Sequence, residues 1–142
     1  MTIRAILKTK GAAVPTVASG VNIRDVLQRL EEEDVGALVV TDDGERIKGI
    51  VSERDIVRGL RLTGDDVLDA DVEDLMTTDV VTCKADDKIA AVMAMMLANR
   101  IRHVPVVDGK TLAGFISVRD IIKQRLDEVQ ADADAMQKYI SG

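Results

Sequence analysis

The chain has 142 residues, 46% of them apolar, and a formal net charge of -6 at pH 7. This length fits one domain with a sizeable core, while the acidic charge argues against a nucleic-acid partner. One Phe, one Tyr and no Trp leave few rings for stacking on bases or sugars. No apolar run approaches the roughly 18 residues of a membrane span, so we expect a soluble, cytoplasmic protein with no membrane partner.

The first half of the chain predicts a helix, a hairpin and a second helix. Apolar residues at helical spacing indicate a helix over about 22–33: Ile23, Val26, Leu27 and Leu30. Two short apolar runs, 37–40 and 47–52, flank the turn sequence Asp42-Asp43-Gly44, which is typical of a hairpin. Ser52 is suited to cap a following helix, which we predict from Glu53 to about Leu60.

Residues 63–76 join the two halves and are rich in acidic side chains. A divalent cation site is the alternative interpretation, but calcium loops need oxygen ligands at fixed offsets that this spacing does not provide. We therefore predict a solvated linker with a short helix near residues 71–75.

The second half predicts the same order of elements. Apolar residues at helical spacing mark its first helix, for which Asp86 or Asp87 is the predicted cap: Ile89, Val92, Met93, Met96 and Leu97. Strands over 104–107 and 112–117 flank the turn Asp108-Gly109, and another helix is predicted from Val118 onward.

The last part of the chain has an apolar residue at alternating steps of four and three: Ile122, Leu126, Val129, Ala133, Met136 and Ile140. This heptad spacing is typical of helices that pair along an apolar seam. One helix over 118–140 would be about 34 Å long at a rise of about 1.5 Å per residue. It either packs on Ile3, Ile6 and Leu7 or meets a second chain, and we expect a homodimer.

An internal repeat relates the two halves. The segment Gly49–Ile56 returns 65 positions later as Gly114–Ile121, with five of the eight residues identical. A repeat of this size cannot readily bury its apolar face alone. We expect one co-folded unit made of residues 1–70 and 71–142, with two related sites that face each other across a pseudo-twofold axis.

These residues resemble the CBS domain pair, also called the Bateman module. Each β-α-β-β-α repeat of that family ends in Gly-h-h-Ser/Thr-x-x-Asp, where h is apolar, and both Gly49–Asp55 and Gly114–Asp120 match this pattern. Three further segments are similar to the family: 35–42, 75–82 and 101–108. The resemblance implies an α/β fold in which two repeats pack through their sheets, with the C-terminal helix added.

The repeated Ser, Arg and Asp have a chemistry that suits a nucleotide. A carboxylate in the first turn of a helix can accept both hydroxyl hydrogens of a ribose. The Ser hydroxyl and the free N–H groups at the start of the helix suit a phosphate, and the intervening Arg54 or Arg119 can add charged contacts. The alternative is that Ser52 and Ser117 are simple helix caps.

The resemblance implies two sites. The first combines these residues: Ser52, Arg54, Asp55, Thr77, Asp79, Val80, Val81, Arg102 and His103. In it, Thr77 and Asp79 would meet the base or ribose, the backbone of Val80 and Val81 would read the adenine edge, and Arg102 with His103 would meet phosphates. The second site combines Ser117, Arg119 and Asp120 with Thr9, Val14, Gly36 and Ala37. It lacks a counterpart of Asp79 and has less cationic help, so weaker binding or none is expected there.

The function implied by the resemblance is a non-catalytic regulatory module that binds an adenine nucleotide such as AMP, ATP or NAD(H). Its output would pass through an unidentified effector protein or through the oligomeric state. The alternative is a ligand-free dimerisation or protein-interaction module. We predict no enzyme activity, no metal site and no required cofactor, because no nucleophile–base pair, Walker loop or metal-ligand cluster is present in the sequence.

Overall fold

The computed structural model describes residues 1–141. The first half contains three helices and three strands, in this order: α1 (Ile3–Lys10), β1 (Thr16–Val17), α2 (Ile23–Glu33), β2 (Ala37–Val40), β3 (Gly49–Ser52) and α3 (Glu53–Thr63). A 3-10 helix (Gly64–Asp69) and α4 (Val72–Leu75) follow, and then α5 (Ile89–Asn99), β4 (His103–Asp108), β5 (Thr111–Ser117) and α6 (Val118–Ser141).

Each half forms a small sheet of its own around an antiparallel pair of strands. In the first, β1 pairs in parallel with β2, and β2 pairs antiparallel with β3. In the second, β4 and β5 form the hairpin, and the lead-in strand is reduced to a parallel bridge between Cys83 and Val106. The Cys83 carbonyl accepts from the N–H of Val107 at 2.8 Å, which fixes this segment beside β4. The α/β class, the tandem repeat and the C-terminal helix are confirmed.

Each half has a core of its own, and a third apolar cluster joins the two sheets. Successive side chains of a strand point to opposite faces. In β2, Leu38 and Val40 therefore enter the core of the first repeat, while Ala37 and Val39 pack against Phe115 of the second. All four β2 residues are fully buried, which explains the uninterrupted apolar run Ala-Leu-Val-Val.

The two halves also exchange a helix. Ile3 and Ile6 of α1 are buried in the core of the second repeat, and the N–H of Ile3 donates to the carbonyl of Asp87 at 2.9 Å. Val72 of α4 is buried in the core of the first repeat, and its N–H donates to the carbonyl of Val21 at 2.8 Å. Each core is therefore completed by a segment that precedes the other repeat in the chain.

Several local predictions change. The sequence analysis did not predict α1. The prediction that Asp86 or Asp87 caps α5 is wrong: the side chain of Asp87 instead accepts from the N–H of Lys84 at 2.8 Å. The N–H of Ile89 donates to the carbonyl of Met1, so the start of the chain satisfies this helix end. The acidic linker is ordered as a 3-10 helix because Val67 is buried against Gly59.

Candidate functional site

A cavity of about 540 Å³, here called the large cleft, lies between the two repeats. Its walls come from the starts of β2, α3 and β4, the end of α5 and the segment 77–81. All nine residues predicted for the first site line it: Ser52, Arg54, Asp55, Thr77, Asp79, Val80, Val81, Arg102 and His103. Gly36 and Ala37, which the sequence analysis assigned to the second site, also line the large cleft.

Ser52 and Asp55 hold each other at the start of α3. The N–H and the hydroxyl of Ser52 donate to Oδ2 of Asp55 at 2.9 and 3.1 Å, and the N–H of Asp55 donates to the Ser52 hydroxyl at 3.4 Å. This is a capping box. None of these three hydrogen bonds involves Oδ1 of Asp55. The nearest cation to this atom is Arg58, whose Nη1 lies 3.7 Å from it. Asp55 therefore caps the helix through Oδ2 and lines the cleft, while Oδ1 takes no part in the cap.

The segment 77–81 lies along the edge of β3. The N–H of Ile50 donates to the carbonyl of Thr77 at 2.9 Å, and the N–H of Thr77 donates back to the carbonyl of Ile50 at 2.8 Å. The next residues leave the sheet. Within residues 1–141, no backbone hydrogen bond of this kind holds Val80 or Val81, although both are half-buried in the cleft wall. Their peptide groups are available to a planar ligand with donors and acceptors on its edge.

Four arginines and three carboxylates line the large cleft: Arg54, Arg58, Arg100, Arg102, Glu53, Asp55 and Asp79. Arg54 already serves a structural contact, because its Nη1 donates to the carbonyl of Arg100 at 2.8 Å and ties α3 to the end of α5. Arg100 adopts a left-handed conformation, with φ 54°, at the end of that helix. The sequence analysis missed Arg58 and Arg100. The position of Arg58, one helical turn after Arg54, was a usable signal.

His103 lines the large cleft where the second repeat approaches Gly36 of the first repeat. Its imidazole stacks on the Phe115 ring, with centroids 5.6 Å apart and planes inclined by 16°. Burial lowers the pKa of His103 below its usual 6.5, and the positive charges of Lys10 and Arg102 lower it further, against the opposing effect of Asp120. The lowered pKa favours the neutral form of the ring at pH 7. A Cβ on Gly36 would lie 3.2 Å from Cε1 of His103, so a glycine at this position leaves room for the imidazole.

The stability of the protein should fall as the pH drops from 6.5 through the lowered pKa of His103. In that window the unfolded chain binds a proton at this histidine that the folded chain does not, so acid favours unfolding. Urea unfolding between about pH 7.5 and about pH 5.5, above the range of most carboxylates, should show this slope. The slope should shrink in His103→Gln. An equal slope in both proteins would contradict the assignment to His103.

A second cavity of about 150 Å³, here called the small cleft, lies between α1 and α6. Of the seven residues predicted for the second site, only Thr9 and Asp120 line it. Ser117 starts α6, and its N–H donates to Oδ2 of Asp120 at 2.8 Å, as Ser52 does in the first repeat. Val14 packs into the cluster between the sheets, and Arg119 is exposed on α6. The structure does not gather these residues around one space.

Comparison with known proteins identifies the family. The sequence matches the CBS domain model twice, at residues 4–62 and 72–127. The chain belongs to the CBS-domain family and contains two copies. Among related proteins, this CBS pair is 30% identical over 149 residues to the mitochondrial CBS domain-containing protein CBSX3 of Arabidopsis thaliana, covering 99% of the chain and 72% of that protein.

Solved structures agree with this assignment. The CBS-domain containing protein ATU1752 from Agrobacterium tumefaciens superposes with a TM-score of 0.85 and 36% identity, over 88% of this CBS pair and 99% of that chain. The CBS domain pair of protein MJ0100, solved with 5'-methylthioadenosine and S-adenosyl-L-methionine, has a TM-score of 0.75 and 22% identity, over 90% and 98% of the two chains. Among residues 1–141 of this CBS pair, no helix is long and apolar enough to cross a membrane.

Proposed function

We propose that this CBS pair is a non-catalytic regulatory module that binds an adenine nucleotide, of the AMP, ATP or NAD(H) type, in the large cleft. The observation that carries the proposal is the position of Asp55. Asp55 lines a cavity that is also lined by Thr77 and residues 79–81, from the chain that leads into the second repeat. A ligand there touches both repeats, so it can change how they sit together.

The ribose accounts for Asp55 and Ser52. A ribose presents two neighbouring hydroxyl donors, and a carboxylate with free lone pairs can accept both. Because Oδ2 is held by Ser52, the carboxylate is already oriented and loses little freedom on binding. This pair of neighbouring hydroxyls is present in ribonucleosides generally. The complex of MJ0100 with two adenosine-containing ligands supports adenosine as the nucleoside.

The adenine ring accounts for the open edge at Val80 and Val81. Adenine has donors and acceptors along one edge, which free peptide groups can match, and flat faces that suit apolar side chains. Ile50, Ile101 and Ala37 line the same cavity. This arrangement needs no aromatic platform, which agrees with a chain that has one Phe and one Tyr.

The phosphates account for the arginines. Within residues 1–141, the side chains of Arg100 and Arg102 donate no hydrogen bond to other residues, and both are exposed at the cleft. Guanidinium groups bind phosphate oxygens in a bidentate manner. Each contact at such an exposed position contributes about 0.2–1 kcal/mol. This supports a ligand with phosphate groups over a neutral nucleoside.

Isothermal titration calorimetry with adenosine, AMP, ADP, ATP and NAD⁺ tests the proposal. We expect at least one adenine nucleotide to bind with a micromolar Kd, which corresponds to about -8.2 kcal/mol. Affinity should increase with the number of phosphates at low salt, and the increase should shrink at high salt. GMP and GTP are the matched controls for recognition of the base. Absence of binding by every adenine compound would overturn the proposal.

We also propose that two chains form a dimer through α6. Such a dimer is compatible with the nucleotide-binding module and with the alternative, a ligand-free interaction module. Five apolar residues of the heptad are exposed by 49 to 72%: Ile122, Leu126, Val129, Met136 and Ile140. Helix α1 lines the small cleft together with the beginning of α6, where Gln124 and Asp127 lie. The spacing of the exposed residues matches a seam between two like helices, which favours a second copy of this chain as the partner. We further propose that an effector protein receives the signal from this CBS pair.

A further inference from the structure

The two repeats carry equivalent Ser–Asp frames at the start of their last helices, but only the first frame lies in a large cavity. A shift of 65 residues relates Ile50, Ser52 and Asp55 to Phe115, Ser117 and Asp120. Both Ser–Asp pairs cap a helix with the same hydrogen bond to Oδ2. Ile50, Ser52 and Asp55 all line the large cleft of about 540 Å³, whereas of the second set only Asp120 lines a cavity, the small cleft of about 150 Å³. The surroundings of the second frame must therefore differ from those of the first.

Lys10 faces it. Its Nζ donates to the carbonyl of Phe115 at 2.6 Å and to Oδ2 of Asp120 at 2.7 Å, and it lies 5.8 Å from the centroid of the Phe115 ring. In the first repeat, the equivalent carbonyl of Ile50 accepts a backbone N–H from Thr77 at 2.8 Å. In the second repeat, the ammonium of Lys10 thus takes the place of a backbone N–H as the donor to this carbonyl. The same ammonium also donates to Asp120, the carboxylate equivalent to Asp55.

The two carboxylates are consequently in different electrostatic states. The nearest cation to Asp55 is 3.7 Å away, whereas Lys10 contacts Asp120 directly, with the two side chains 32% and 21% exposed. Burial raises the pKa of Asp120, but the hydrogen bonds from Lys10 and Ser117 outweigh it, and the pKa lies below its usual value. Asp120 therefore already has the charged partner that a ligand would have to displace.

The position of Lys10 is fixed by the packing of α1. Ile3 and Ile6 are buried in the core of the second repeat. A Cβ on Gly114 would lie only 2.7 Å from Cδ2 of Leu7, so α1 lies directly on β5. Gly11 ends the helix at φ 95°, and its N–H donates to the carbonyl of Leu7 at 2.8 Å. The ammonium can leave Asp120 only through a change of its own rotamer or a movement of the whole helix.

We propose that Lys10 is the residue that closes the second Ser–Asp frame to nucleosides, because its ammonium occupies the place of the ribose hydroxyls at Asp120. This inference rests on the proposed function of the large cleft. It follows that the wild-type chain binds one nucleotide, although it contains two Ser–Asp frames. Removing the ammonium should create a second site at this frame, specific for the ribose of a neutral nucleoside. Without Lys10, the described lining of the adjacent small cleft holds one cation, Lys123, and two carboxylates, Asp120 and Asp127.

Calorimetric stoichiometry with adenosine and AMP tests the inference on the full chain. We expect one site in the wild type, two in Lys10→Ala, and one again in Lys10→Ala combined with Asp55→Ala. Lys10→Arg keeps a cation and should keep one site. Lys8→Ala removes an exposed lysine from the same helix turn and should also keep one site. The pKa of Asp120, followed by carbon-13 NMR without nucleotide, should rise in Lys10→Ala.

The outcomes separate the two proposals. Two sites in the wild type overturn the role of Lys10. The role of Lys10 is also overturned if Lys10→Ala has one site and the double variant with Asp55→Ala has none. That result leaves the proposed function of the large cleft standing. A wild type that binds nothing, with one site gained in Lys10→Ala and kept in the double variant, supports Lys10 while the large cleft fails. Absence of binding in every variant overturns both.

Discussion

Replacing Asp55 by alanine should weaken the binding of an adenine nucleotide by at least about 100-fold. The two ribose hydroxyls would lose a charged acceptor, and a hydrogen bond to a charged group contributes about 1.5–3 kcal/mol. Asp55→Asn should have an intermediate effect, because its amide oxygen can accept only part of these bonds. Calorimetry on the three proteins measures the difference, and an unchanged isotherm for Asp55→Ala would contradict the proposed function.

This variant also removes half of a capping box, so its stability has to be separated from its affinity. The loss of a helix cap costs about 1 kcal/mol. Asn22→Ala is the matched control, because the Asn22 side chain caps α2 by accepting from the N–H of Asp25 at 2.9 Å and does not line the large cleft. We expect Asn22→Ala to lower the thermal midpoint by a similar amount and to bind nucleotide like the wild type.

Placing two aspartates in the heptad of α6, as Leu126→Asp and Val129→Asp together, should convert a dimer into a monomer. Both side chains are exposed in the single chain, by 64 and 59%, and pairing would bury them. Burial of such side chains contributes about 1.5–3 kcal/mol each, whereas an unpaired charge in the same place strongly opposes association. Sedimentation equilibrium measures the change in mass.

The control for this experiment lies on the same helix, on the side opposite the heptad seam. Ala131 is exposed and falls between the heptad positions, so Ala131→Asp changes the charge without entering the seam. It should sediment like the wild type. A wild type that is already monomeric, or a double variant that stays dimeric, would show that α6 does not form the interface.

The repeated motif made most of the large cleft predictable. Gly49–Asp55 and Gly114–Asp120 give the ends of β3 and β5 and the starts of α3 and α6, because Ser and Asp at these positions form the helix cap itself. The apolar run of β2 was predictable for a similar reason, since a strand buried on both faces needs apolar residues at every position.

Other features depend on tertiary contacts that no local pattern reveals. Helix α1 has only eight residues, and Thr2 provides no side-chain cap, so its sequence signal is weak. Its stability comes from burial of Ile3 and Ile6 in a core whose other residues begin at Cys83. The pairing of Lys10 with Asp120 spans 110 positions, and the sequence analysis therefore assigned Asp120 to a second, weaker site without predicting this contact.

The exchange of helices between the repeats has a consequence for synthesis on the ribosome, where the chain emerges from its first residue. The first repeat can complete its core as soon as Val72 follows α3, soon after its own strands have appeared. Helix α1, in contrast, is made before the first repeat but must wait for β4, β5 and Ile121 before Ile3 and Ile6 can be buried. Its apolar face is therefore exposed while the whole first repeat is being made, although it precedes that repeat in the chain.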